Sequence, residues 1–141
     1  MLSLRYARRW RTASVVLLLL VLVATLMPAV WLWSDRRQVV AWFFEFDKWL
    51  HGVTFVFLAI WFSGQYHPRS YWRIGVGLIF FGLLIEASQR MVTYRSSELL
   101  DIVADAAGIV VGLAIAMAGV GGWSLRIEDW YAQRNASPDI E

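Results

Sequence analysis

Ionisable and amide side chains occur at a few places along a chain that is otherwise strongly apolar, and these side chains could carry chemistry. A charged side chain at the centre of a membrane helix costs about 3 kcal/mol, so its presence in an apolar run indicates a function by default. Carboxylates held close together compete for protons, and a histidine among them can act as a general base or a proton relay. The candidate catalytic residues are His51, Glu86, Asp101 and Asp105, and the candidate substrate-binding residues are Asp47, Lys48, Gln89 and Arg95.

The spacing of these residues predicts that several of them share a helix face. Asp101 and Asp105 are four positions apart, which places them one turn apart on the same side of a helix. The same spacing separates Asp47 from His51. The motif Gly108-x-x-x-Gly112 continues the face of Asp101 and Asp105, and small residues at this spacing allow a neighbouring membrane helix to approach closely.

The elements that position these side chains are predicted to be transmembrane helices. The hydrophobic content of 59% exceeds that of an ordinary soluble domain. A membrane helix needs about 20 mostly apolar residues, and a barrel is excluded because Val15 to Leu26 is almost continuously aliphatic, without the alternation that a barrel strand needs. The predicted fold is an all-α, four-helix transmembrane bundle with spans over Ser14 to Trp33, Trp49 to Gly64, Tyr71 to Gln89 and Leu100 to Val120.

Basic residues near the span ends predict the orientation, because translocation of Lys and Arg is disfavoured. Four arginines precede the first span and place both termini in the cytoplasm: Arg5, Arg8, Arg9 and Arg11. The predicted organisation is a basic cytoplasmic N-terminus over residues 1–13, a four-span membrane domain over 14–120 and a polar cytoplasmic tail over 121–141. The candidate site residues would then gather in one shallow pocket near the outer face.

The N-terminal segment also has the charged and apolar regions of a secretory signal peptide. No A-x-A cleavage site follows, and the apolar run continues past Pro28 to the bulky Trp33. We therefore expect a retained helix.

Composition excludes several function classes. The formal net charge is only +2 and the arginines are scattered between apolar runs, so no nucleic-acid partner is predicted. The absence of cysteine excludes disulfides, thiolate metal sites and cysteine nucleophiles. The sequence identifies no cofactor.

The ordered polar residues resemble those of the VanZ-like membrane proteins, over about Thr25 to Ala118. The resembling motifs are Asp47-Lys48-x-x-His51, Glu86-x-x-Gln89, Arg95 and Asp101-x-x-x-Asp105-x-x-Gly108. The chain departs from the family pattern at Asp105, where the family usually has Asn. The resemblance implies a multi-pass protein of the bacterial inner membrane, linked through the namesake of the family to resistance to the glycopeptide teicoplanin. It implies no reaction.

Several interpretations of the polar residues remain open from sequence. An enzyme-like site would bind or process a lipid-linked or glycan envelope component, with Lys48 or Arg95 meeting its phosphate. A divalent-cation site built from the acids and His51 is an alternative, although no metal ligand set is assigned. A purely structural charge network would make the protein a non-catalytic scaffold or regulator. A proton-coupled transporter would require a homo-oligomer, and membrane lipids are partners in every case.

Overall fold

The computed structural model describes residues 1–26, 37–91 and 99–136, with side chains described for 1–26, 48–91 and 100–135. All secondary structure in these ranges is helical, as predicted. The elements are α1 (Ala7–Leu26), α2 (Arg37–Gln65), a 3₁₀ turn (Pro68–Ser70), α3 (Tyr71–Met91), α4 (Leu99–Ile115), a π-helical turn (Ala116–Val120) and α5 (Trp123–Ala136).

Three helical segments within the described ranges are long and apolar enough to cross a membrane. They are Ala7–Leu26, Pro68–Met91 and Leu100–Asn135. Each exposes large apolar side chains on its surface, such as Leu20, Phe80 and Val110, which is the arrangement expected of helices in contact with lipid. The chain is therefore an α-helical membrane protein.

The second predicted span, Trp49 to Gly64, belongs to the longer helix α2 and is not among these three segments. At 29 residues, α2 extends for about 43 Å, whereas the hydrocarbon layer is about 30 Å thick. The second predicted span, and with it the total of four spans, stays a prediction. The cytoplasmic location of both termini stays a prediction as well.

Helices α2 and α4 pack against each other more extensively than any other pair of described helices. They approach through glycine, because a Cβ added to Gly108 would collide with the backbone of Gly52 and one added to Gly112 would lie 2.6 Å from the carbonyl oxygen of Val56. The predicted close contact at Gly108-x-x-x-Gly112 is confirmed, and α2 is the neighbouring helix.

The apolar core lies between α2, α3 and α4. Leu58 from α2, Ile85 from α3 and Ile109 from α4 are buried in one cluster. Helix α1 lies at the edge of this core, where Ser14 is its only buried residue.

Helix α5 packs back onto the start of the chain. The carboxylate of Glu128 accepts hydrogen bonds from the backbone N–H groups of Arg5 (2.6 Å) and Tyr6 (3.0 Å) and from the Trp10 indole (2.8 Å). It thereby satisfies donors at the N-terminus of α1 that have no partner within that helix. Residues 123–136 of the predicted tail are thus a packed helix.

The end of α2 forms hydrogen bonds with the start of the chain and with the start of α5. The backbone N–H of Leu2 donates to the Gln65 carbonyl at 2.9 Å, and the Ser124 hydroxyl donates to the Gly64 carbonyl. The indole of Trp123 donates to the Ile60 carbonyl at 3.1 Å. The start of α1, the end of α2, the start of α3 and helix α5 therefore lie together, and we call this the basic end of the molecule.

We predict that Glu128→Gln lowers the free energy of unfolding by about 2 kcal/mol, because hydrogen bonds to an ionised acceptor are the stronger ones and one amide oxygen replaces two carboxylate oxygens. Thermal unfolding of the purified protein in detergent measures the change. Asp129→Asn is the matched control, since Asp129 is the neighbouring residue and is exposed. Equal melting temperatures for the two variants would contradict the role assigned to Glu128.

Candidate functional site

A buried histidine and a buried aspartate form the centre of the candidate site. The Nδ1 atom of His51 lies 3.0 Å from Oδ1 of Asp105, and the two residues are 4% and 1% exposed. They meet because His51 precedes Gly52 on α2 and Asp105 lies one turn before Gly108 on α4, at the point where the two backbones approach. In the neutral imidazole, donation from Nδ1 to the carboxylate leaves Nε2 as an acceptor.

Helix α3 brings a second carboxylate and an amide to the same place. Glu86 and Gln89 are each 2% exposed. The Gln89 Nε2 atom donates to the Thr25 carbonyl at 3.3 Å, which ties the end of α1 to the site. Glu86 lies one turn before Arg90 on the same helix.

Asp101 completes the set one turn before Asp105 on the same face of α4. It is 4% exposed. The predicted sharing of a face by Asp101 and Asp105 is confirmed by their common burial. We call the five residues His51, Glu86, Gln89, Asp101 and Asp105 the polar cluster.

Gly82 makes room for the cluster. A Cβ added there would lie 2.7 Å from Oδ2 of Asp105 and 3.3 Å from the ring of Phe55. Gly82 is not among the candidate site residues predicted from the sequence, and its contact with Asp105 was missed. The available signal was its position one turn before Glu86, on the same face of α3.

Several buried polar atoms of the cluster have no hydrogen-bond partner among the residues that the structure describes. They are His51 Nε2, Glu86 Oε1 and Oε2, Gln89 Oε1 and Asp105 Oδ2. Leaving one buried polar atom unpaired costs about 1–3 kcal/mol. Within the described part of the chain, these atoms are therefore open to a proton or a ligand.

The chemistry available to the cluster is acid–base chemistry. Asp105 can orient the His51 ring and stabilise its protonated form, which leaves Nε2 to accept a proton. Glu86 supplies a second group that can hold a proton. Among the described residues, no group of three or more His, Asp and Glu side chains is arranged to hold a metal ion.

The remaining predicted site residues have different positions. Lys48 lies on α2 one turn before His51, is half-buried and is engaged with another group. The backbone of Asp47 lies in α2, but its side chain is outside the described residues, and Arg95 is outside them entirely. The structure thus unites five of the eight candidates and does not bear on the placement of Asp47 and Arg95.

Comparisons with protein families, with curated proteins and with solved structures found no match to this chain. The VanZ-like assignment rests on the ordered motifs in the sequence and stays a prediction.

We predict that Gly82→Ala lowers the free energy of unfolding by about 1–3 kcal/mol, because the added methyl group collides with the Asp105 carboxylate that holds His51. Gly77→Ala is the control, since a Cβ at Gly77 on the same helix meets nothing within 4 Å. Alanine is favoured over glycine in a helix, so this variant should keep or gain stability. Thermal unfolding compares the two, and equal stability would contradict the contact between Gly82 and Asp105.

Proposed function

We propose that this chain is a VanZ-like, multi-pass protein of the bacterial cytoplasmic membrane whose polar cluster binds or processes a lipid-linked or glycan component of the envelope. The observation that carries the proposal is the buried pair His51–Asp105. Within the described ranges, Nε2 of His51 and the nearby carboxylate oxygens of Glu86 and Asp105 (Oδ2) have no hydrogen-bond partner. Enzymes use this combination of an oriented imidazole and a second carboxyl group for general acid–base catalysis.

The distribution of arginine supports an orientation with the polar cluster toward the outer face. Eight of the 13 Lys and Arg residues lie at the basic end or in α5: Arg5, Arg8, Arg9, Arg11, Arg69, Arg73, Arg126 and Arg134. Cytoplasmic segments of membrane proteins carry such an excess of positive charge. The polar cluster lies toward the opposite end, because it is built from the end of α3 and the start of α4.

In the proposed reaction site, Nε2 of His51 removes the proton from a hydroxyl group while Asp105 stabilises the resulting imidazolium. Glu86 receives or returns a second proton, and Oε1 of Gln89 accepts a hydrogen bond from a further hydroxyl. Three acids surround one histidine, so a phosphate would be repelled from the cluster itself. We therefore assign the hydroxyl-bearing glycan part of the ligand to the cluster, and its phosphate to Lys48 and Arg95.

A second candidate is proton transfer coupled to transport. It is favoured by the complete burial of the unpartnered atoms, because a proton reaches such atoms without an open cavity. A non-catalytic scaffold is the candidate from another class, and it accounts least well for the same unpartnered atoms.

We predict that His51→Gln and Glu86→Gln abolish the teicoplanin resistance conferred by expression of the protein, returning susceptibility to that of cells with an empty vector. Both changes remove a proton-accepting group while preserving side-chain size. The measurement is growth at graded teicoplanin concentrations, with membrane abundance quantified by immunoblot. Ser88→Ala is the control, because the Ser88 hydroxyl donates to the Leu84 carbonyl of its own helix.

Wild-type resistance in His51→Gln and Glu86→Gln at normal abundance would contradict an acid–base role. A parallel loss of abundance and resistance would instead support the scaffold. If the wild-type protein confers no resistance, the link to teicoplanin fails.

We predict that a single cysteine at Met91 reacts with a membrane-impermeant maleimide on intact cells, whereas one at His67 reacts only after permeabilisation. The chain has no native cysteine, so each variant carries one thiol. Met91 ends α3 near the polar cluster and is 86% exposed, while His67 is exposed at the basic end. The reverse pattern would place the cluster toward the cytoplasm and exclude an envelope ligand.

A further inference from the structure

An open groove of about 650 Å³ lies along the start of α1 at the basic end, apart from the polar cluster. A single stretch of chain lines it: Arg5, Tyr6, Arg8, Arg9, Thr12, Ala13 and Val16. Most of the lining surface is apolar, and the three arginines supply its polar wall. Nothing in the proposed function uses these side chains.

The groove belongs to one continuous face of α1. At 100° per residue, Arg8, Arg9 and Thr12 fall within one sector of α1, and the same sector continues through Val16, Leu19, Leu20 and Val23. Arg5 lies in the turn that precedes the helix and lines the same groove. All four aliphatic side chains are exposed. The face is therefore basic at its start and apolar for the rest of its length. A surface of this kind matches an anionic headgroup followed by an acyl chain.

The guanidinium groups on this face keep their charge available. Within the described ranges, no carboxylate forms an ion pair with Arg5, Arg8 or Arg9. The nearby carboxylate of Glu128 binds backbone N–H groups and the Trp10 indole instead. Arg9 lies over the ring of Tyr6, 5.0 Å from its centroid, which holds its guanidinium at the groove.

The groove is also preformed. Glu128 fixes the backbone of Arg5 and Tyr6 against α5, so the segment that carries the arginines is ordered before any ligand arrives. Pre-organisation of this kind reduces the entropy that binding must overcome.

We propose that this groove binds an anionic phospholipid, with its phosphate against Arg5, Arg8 and Arg9 and one acyl chain along Val16, Leu20 and Val23. The ligand class follows from the charge of the polar wall and from the apolar face that continues it. Helix α1 lies at the edge of the core, and the lipid would cover the face that the bundle leaves exposed. The proposal is independent of the chemistry assigned to the polar cluster.

The test is native mass spectrometry of the delipidated full-length protein in a non-ionic detergent, titrated with phosphatidylglycerol or with phosphatidylcholine of the same acyl chains. We expect phosphatidylglycerol to bind at least tenfold more tightly. The triple variant Arg5→Gln, Arg8→Gln, Arg9→Gln should lose this preference, since each basic residue near an anionic lipid contributes roughly fivefold. The control Arg69→Gln, Arg73→Gln, Arg134→Gln removes the same charge from exposed positions outside the groove and should bind within about twofold of wild type.

Equal loss in both triple variants would overturn the proposal, because it would indicate general attraction to the basic end. Equal binding of the two lipids by the wild-type protein would overturn it as well. Displacement of phosphatidylglycerol by millimolar inorganic phosphate would show that a free anion, and not a lipid, is the occupant. If the triple variant fails to fold, the single variant Arg8→Gln, at an exposed position, replaces it. We expect this variant to bind phosphatidylglycerol roughly fivefold more weakly. An unchanged affinity would contradict the site.

Discussion

The close crossing of α2 and α4 is the constraint on which the rest of the structure depends. Gly52 faces Gly108 across the crossing, so backbone meets backbone where side chains would normally keep helices apart. That approach places His51 and Asp105 within hydrogen-bond distance. A wider separation would leave two ionisable groups buried apart from each other, which costs far more than burying them as a pair. The glycines are therefore part of the site as well as of the fold.

The sequence was sufficient to predict that the polar residues lie together at one end of the helices, but not which side chains pair with each other. Four-residue spacing identifies the shared face of Asp101 and Asp105, and the glycine motif predicts a close neighbour for α4. Neither signal identifies α2 as that neighbour or joins His51 to Asp105, because both depend on the rotation of each helix within the bundle. Gly82 shows the same limit, since its contact is with a side chain from another helix.

Sequence reasoning also missed contacts between partners that are far apart in the chain. Residues 121–141 have the composition of a polar tail, yet Glu128 binds N–H groups 123 and 122 positions earlier. No local pattern contains that information. Helix α1 begins at Ala7, seven residues before the predicted membrane span that starts at Ser14. Arginine can keep its charge in water at the end of such a helix while its stem lies along apolar surface.

Buried polar groups are hydrogen-bonded at the basic end, whereas several of those in the polar cluster are not. This difference between the two ends of the molecule is the strongest argument for function. At the basic end, Gln65 is 1% exposed, and its Nε2 donates to the Ser14 hydroxyl at 2.9 Å while that hydroxyl accepts from the Trp61 indole at 3.0 Å. Glu128, also buried, accepts three hydrogen bonds.

Among the described residues, the chain that pairs these groups leaves both oxygens of Glu86 and one nitrogen of His51 unpaired. Since the fold can satisfy buried polar groups elsewhere, the unpaired atoms of the polar cluster are a local feature and not a general looseness of packing. Unpaired buried atoms raise the free energy of the folded state. When they occur at one site of an otherwise well-paired structure, binding or proton transfer is expected to supply the missing partners.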